Sequence, residues 1–218
     1  MLTSTLTTAL AAAFLLPFSS ASPIAIRQET ETSTSTTPPT HPGDGSGSEP
    51  SCSTTSFQNF SWALSAFDYH ASFIFTTPAH QNSWGYVSFN LSNPAIGSSV
   101  TTVCSASSSQ LSDFFYGNVQ YICTNTPEGK KSDVGKTTFD FNRPTGELRF
   151  NQSWTCRDGD PRWPTTFTGY AAVNLQLDCT ESTWQNKNWT LGQIYSTRDV
   201  RCSPVDLSVN PKEMTAVA

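Results

Sequence analysis

Apolar and polar residues alternate with a period of two along most of the chain beyond residue 60. Phe67, Tyr69, Ala71, Phe73 and Phe75 fall on one face, while Asp68, His70 and Ser72 fall on the other. Successive strand side chains point to opposite faces, so this pattern predicts a half-buried β-strand with His70 turned to water. Trp84 to Leu91 repeats it, with Val87, Phe89 and Leu91 on one side and Trp84, Tyr86, Ser88 and Asn90 on the other. Phe139 and Phe141 alternate with Thr138 and Asp140, and Leu148 and Phe150 with Glu147, Arg149 and Asn151. Between these runs Arg143-Pro144-Thr145-Gly146 places Pro second and Gly fourth, which suits a type I turn and hence a hairpin. Val173, Leu175 and Leu177 predict another strand, and Val100 to Cys104, Phe115 to Cys123 and Ile194 to Cys202 are less regular candidates. No stretch shows a helical apolar period beyond the leader. The expected class is all-β, a single antiparallel β-barrel or sandwich.

The first fifty residues differ in kind. Residues 1–21 read as a signal peptide: the apolar run Ala9 to Phe18 is too short for a bilayer, and Ser19 and Ala21 supply the small residues cleavage needs. Residues 22–51 are a Ser/Thr/Pro-rich linker whose polar composition cannot bury enough surface to offset the entropy of ordering. Residues 52–210 form the working domain, and 211–218 a C-terminal tail. The product is expected to be secreted into the extracellular space.

Six cysteines, Cys52, Cys104, Cys123, Cys156, Cys179 and Cys202, all follow the leader. An even count in an exported chain of this size implies a disulfide framework of three bridges. Four N-x-[ST] sites, at Asn59, Asn90, Asn151 and Asn188, are candidate glycan acceptors, and Asn90 and Asn151 fall on the polar faces that alternation assigns.

The net charge of −5 disfavours nucleic acid, which needs a basic footprint; the lone Lys130-Lys131 pair reads as a solvated loop tip. No second apolar stretch reaches bilayer length, so no membrane partner is expected. The carboxylates of Arg157-Asp158-Gly159-Asp160 lack the donor count of a calcium loop, and the three histidines lack zinc spacing, so no metal or cofactor is expected. Asp140 and Glu147 are the nearest approach to a glycosidase pair, but they flank a hairpin on outward positions. No nucleophile elbow or Ser-His-Asp grouping is present, and the chain reads as a non-enzyme.

Trp84 and Tyr86 are the foremost binding candidates, because alternation sets them apart from the apolar face and exposed rings stack on flat ligands. Burial beneath a loop or beneath the segment around Trp62 is the plainer reading. Trp184 and Trp189 flank a polar loop and either meet a partner or anchor that loop.

Several segments, taken in order, carry a resemblance. They are Cys52, Trp62-Ala63-Leu64-Ser65-Ala66-Phe67, Asn82-Ser83-Trp84-Gly85-Tyr86, Cys104-Ser105-Ala106 with Leu111 and Asp113 before Cys123, Phe139-Asp140-Phe141, and Cys179 with Cys202. Together they resemble the major allergen of Alternaria and its secreted fungal relatives, over Cys52 to Val209. The resemblance implies a compact β-barrel, an effector or allergen-like role, and binding of a small phenolic ligand or a plant defence protein. It also implies bridges Cys104–Cys123 and Cys179–Cys202. In the allergen a cysteine near the mature N-terminus links two subunits, and Cys52 resembles it. The additional Cys156 makes an internal Cys52–Cys156 bridge the alternative to a disulfide-linked dimer, and a monomer is the expectation. A secreted carbohydrate-binding module is the rival reading, since a tryptophan-rich β-sandwich suits one equally well.

Overall fold

The alternating runs become antiparallel strands in the computed structural model, which describes residues 51–58, 60–97, 100–126, 133–160 and 162–218. A short helix α1 (Cys52–Phe57) precedes β1 (Trp62–Thr77), β2 (His80–Ser92), β3 (Thr101–Ser108), β4 (Tyr121–Ile122) and β5 (Thr124–Thr126). They are followed by β6 (Val134–Asn142), β7 (Glu147–Cys156), β8 (Thr165–Asn174), β9 (Cys179–Gln185), β10 (Ser196–Cys202), β11 (Val205–Val209) and β12 (Glu213–Val217). The larger sheet runs β5-β3-β2-β1-β10-β9, with β11 also paired to the start of β1; the smaller runs β12-β8-β7-β6-β4. The sheets do not close on each other, so of the two expected architectures the chain adopts the sandwich.

The core is aromatic. Trp62, Phe67, Phe89, Phe139, Phe141, Phe150, Trp154 and Phe167 are all nearly inaccessible to solvent. Trp154 stacks between Phe60 and Phe167, at 5.0 and 5.6 Å between ring centres, and Trp62 meets Phe150 edge-on at 5.1 Å. One polar cluster crosses this core. Gln152 on β7 is fully buried; its Oε1 accepts from Trp62 Nε1 at 2.8 Å and Asn93 Nδ2 at 2.9 Å. Its Nε2 donates to Thr102 Oγ1 and Thr137 Oγ1, each at 3.2 Å. A buried amide is tolerated only when its donors and acceptors are satisfied, and here the satisfaction ties both sheets together.

Three bridges close within the chain: Cys52–Cys156, Cys104–Cys123 and Cys179–Cys202. Cys123 lies where the backbone leaves the smaller sheet at β4 for the larger at β5, so its bridge to β3 staples the crossover. Cys52–Cys156 fastens α1 to the end of β7. There Ser56 Oγ accepts from Trp154 Nε1 at 2.9 Å, and the Asp158 carboxylate accepts from Ser53 N at 2.9 Å and Ser53 Oγ at 2.6 Å.

Four expectations need correction. Phe115 to Cys123 is mostly loop, with only Tyr121–Ile122 in a strand, because Phe114 and Phe115 are both buried side by side and Gly117 turns the chain at φ +68°. Leu175 and Leu177 lie past the end of β8; Leu175 N instead donates to Gly146 O beneath the β6–β7 hairpin. Residues 211–218, expected as a tail, carry β12, which pairs with β8 from Glu213↔Tyr170 to Val217↔Thr166. Finally, α1 has no counterpart in the periodicity, since six residues cannot display a helical apolar stripe. Among the described residues no helix is long and apolar enough to cross a membrane.

Candidate functional site

Strand register builds a ringed surface on the outer face of the larger sheet. β1 and β2 pair as Asp68↔Ser88, His70↔Tyr86, Ser72↔Trp84 and Ile74↔Asn82. β10 continues the same rows through Arg201 beside His70, Asp199 beside Ser72 and Thr197 beside Ile74, and β9 adds Trp184 beside Thr197. Trp84 is 40% exposed and Tyr86 39%, enough to leave ring surface open to a ligand while the rest packs on the sheet. Trp184 is 53% exposed.

The pleat explains why these rings stay outside. Gly85, between them, faces inward against Phe114; a Cβ there would approach the Phe114 ring to 2.6 Å. A backbone pressed this closely on the core holds β2 in register and fixes the outward direction of both neighbours. His70 stacks on Tyr86 at 4.9 Å between ring centres and an interplanar angle of 20°, covering one face of the phenol and leaving the other. The His70 Nδ1–H donates to Asp68 Oδ2 at 2.6 Å, which sets the orientation of the imidazole. The result is a firm platform of Trp84, Tyr86 and His70 rimmed by Ser72, Asp199, Arg201 and Ser88. Such a surface can stack a flat ring and hydrogen-bond its substituents.

The other sequence candidates fall elsewhere. Asn90 lies on this same outer face, two outward positions beyond Tyr86 on β2. Asn151 faces outward on the smaller sheet between Thr138 and Tyr170, and Asn188 is exposed in the β9–β10 connection. Asn59 and the Lys130-Lys131 pair lie outside the described residues. Trp189 anchors its loop: its Nε1 donates to Gln193 O at 2.9 Å and its ring meets Tyr195 edge-on at 5.7 Å. Asp140 is held by Arg149 at 2.7 Å on the outer face of the smaller sheet. The acidic turn is consumed locally, with Arg157 on Asp133 at 3.2 Å, Asp158 on Ser53, and Arg162 on Asp160 at 2.7 Å. Hydrogen bonds from Ser53 pull the Asp158 carboxyl down from 3.8 to about 2. Burial pushes the Tyr69 phenol up, with Arg143 partly offsetting it. Among the described residues no cluster of three or more His, Cys, Asp or Glu side chains could hold a metal.

Sequence reasoning passed over Arg198. It has the same inward parity as Val200 and Cys202, and its guanidinium sits 4.0 Å over the Phe73 ring. An arginine on the apolar side of an alternating strand was the available signal.

This is a disulfide-stapled antiparallel β-sandwich with an exposed aromatic face, an architecture that fits the allergen-like class the sequence motifs resemble. The family model for Alternaria alternata allergen 1 matches residues 64–202. The chain belongs to that family and is an allergen-like protein. Comparison with curated proteins and with solved structures gave no match.

Proposed function

We propose that the protein is exported and acts outside the cell as a non-enzymatic binding protein, an effector of allergen-like type whose ligand is a small planar phenolic. The observation that carries this reading is the half-exposed pair Trp84 and Tyr86 on one rigid sheet face, with His70 backing the phenol. Aromatic stacking serves a flat ring, and the hydroxyl and charged side chains around it serve phenolic substituents. The leader-like first 21 residues support export, and the intrachain closure of all six cysteines supports a chain with no covalent partner. A plant defence protein docking on the same face is the larger-scale form of this reading.

Polysaccharide binding is a second reading, favoured by one observation. Trp184 shares the outer face with Trp84, three strands across and two residues along, roughly 16 Å away on the sheet lattice. Two exposed tryptophans at that spacing suit separate units of an extended sugar chain. Titration of the purified protein with a flavonoid, followed by tryptophan fluorescence, and retention on chitin and glucan distinguish the two. Saturable quenching that Trp84→Ala weakens supports the phenolic reading. Retention on a polysaccharide without a phenolic response replaces it. Turnover of a glycoside or ester, abolished by a single carboxylate or serine substitution, overturns binding as the activity.

A further inference from the structure

The inner face of the larger sheet is not wholly covered. Alternation turns Thr183 and Gln185 of β9 inward with Glu181, yet all three are exposed, and Phe75 near the end of β1 is only half-buried. An open groove of about 480 Å³ occupies this end, lined by Phe75, Gln185, Lys187, Tyr195 and Arg198 and reaching Trp184 and Thr197 at the edge of the sheet. That volume lies within the roughly 300–1,000 Å³ typical of small-molecule sites.

Its chemistry is cationic and aromatic at once. Arg198 is fixed by its stacking on Phe73, yet its ion partner Glu181 stands 3.7 Å away, and the two side chains are 41% and 55% exposed. An exposed pair at that separation holds its charges weakly and yields readily to a competing carboxylate. Lys187 has no ion pair among the described residues. Phe75 and Tyr195 supply ring surface in the same groove. Gln185 Nε2 donates to the Tyr195 hydroxyl oxygen at 2.8 Å, which leaves the phenolic O–H and the Gln185 carbonyl for a ligand.

We propose that this groove is a second binding site, separate from the Trp84 and Tyr86 platform, and that it takes small aromatic carboxylates. The ring packs against Phe75 and Tyr195, the carboxylate pairs with Arg198, and Lys187 adds the second positive charge. Arginine is suited to this role because its planar fork matches a carboxylate with two parallel hydrogen bonds.

Trans-cinnamate and its neutral counterpart trans-cinnamyl alcohol are the probes, titrated calorimetrically into the full-length protein at low and high salt. Cinnamate should bind about tenfold more tightly than the alcohol, a difference of ~1.4 kcal/mol, and should weaken in high salt. Arg198→Gln should abolish that preference, Arg198→Lys should retain much of it, and Lys187→Gln should reduce it by a smaller factor. Lys212→Gln, which removes a cation beside β12, should change nothing. Amide shifts of isotope-labelled protein with cinnamate should concentrate at Phe75, Gln185 and Tyr195 to Arg198. Equal binding of the two probes, or shifts centred on Trp84 and Tyr86, would overturn the proposal even if Arg198→Gln failed to fold. Because the Trp84 and Tyr86 platform is tested by Trp84→Ala with a flavonoid, and neither residue lines the groove, either site can fail without the other.

Discussion

Gln152→Met removes the amide at the centre of the buried cluster while keeping most of the side-chain volume. Wild-type Gln152 accepts from two donors, Trp62 Nε1 at 2.8 Å and Asn93 Nδ2 at 2.9 Å. Both parent residues are almost fully buried, so neither donor can recruit water without moving the core. A buried donor left without a partner costs about 1–3 kcal/mol. The threonine hydroxyls lose only an incoming bond, and Thr102 Oγ1 still donates to Asn125 Oδ1 at 2.8 Å, so they add little. The expected loss is therefore about 2–6 kcal/mol, a fall in Tm of roughly 4–24 °C for a domain of this size. Urea denaturation with tryptophan fluorescence measures it, with an unchanged m-value showing that the same surface is still exposed. A double-mutant cycle with Asn93→Ala should return a coupling of at least ~0.5 kcal/mol, since Asn93 Nδ2 donates directly to Gln152 Oε1. A loss below about 1 kcal/mol with no coupling would refute the claim that this cluster holds the sheets together.

Three further outcomes are expected. The native protein should run as a monomer on a non-reducing gel, and Cys156→Ser should free Cys52 to form linked dimers; opening this bridge should cost about 4–5 kcal/mol in the chain-entropy picture, since its cysteines are 104 residues apart. Because the folded Asp158 carboxyl is held at about 2 rather than 3.8, its contribution is present above pH 3.8 and lost as the pH falls through about 2. A melting series should accordingly show wild type above Asp158→Asn near neutrality and the two converging at the acid end; a gap that persists there contradicts the assignment. Gly85→Ala should destabilise by about 1–3 kcal/mol in thermal melts by driving a methyl group into Phe114.

The strands most legible in the sequence were those with one face in the core. β2 and β7 alternate throughout, and β1 and β6 do so beyond the bulges near their starts, because each packs apolar residues on the opposite sheet and shows polar ones to water. β9 and β12 gave little signal for the opposite reason: both are edge strands with exposed residues on either face, so their pairing rests on backbone hydrogen bonds that leave no hydropathy pattern. The Phe115–Cys123 run misled because its aromatic residues are buried through turns, where burial has no fixed period. Trp84 and Tyr86 could be singled out because large rings stood on the polar parity of a regular strand. The groove around Arg198 was not legible, since its lining is brought together from β1, β9, β10 and the β9–β10 connection, and no local pattern records that juxtaposition. Pairing of the cysteines came through resemblance, and the additional Cys156 finds its partner in Cys52 on a helix too short to announce itself.

The central claim is that the outer aromatic face binds a flat ring, and affinity measured on Trp84→Ala alongside its melting temperature tests it most directly. Flavonoid binding should weaken by on the order of 1–3 kcal/mol while Tm stays close to wild type, because a side chain 40% exposed contributes ring surface to a ligand more than to the core. Unchanged flavonoid affinity, or a large fall in Tm that makes Trp84 part of the core, would contradict it.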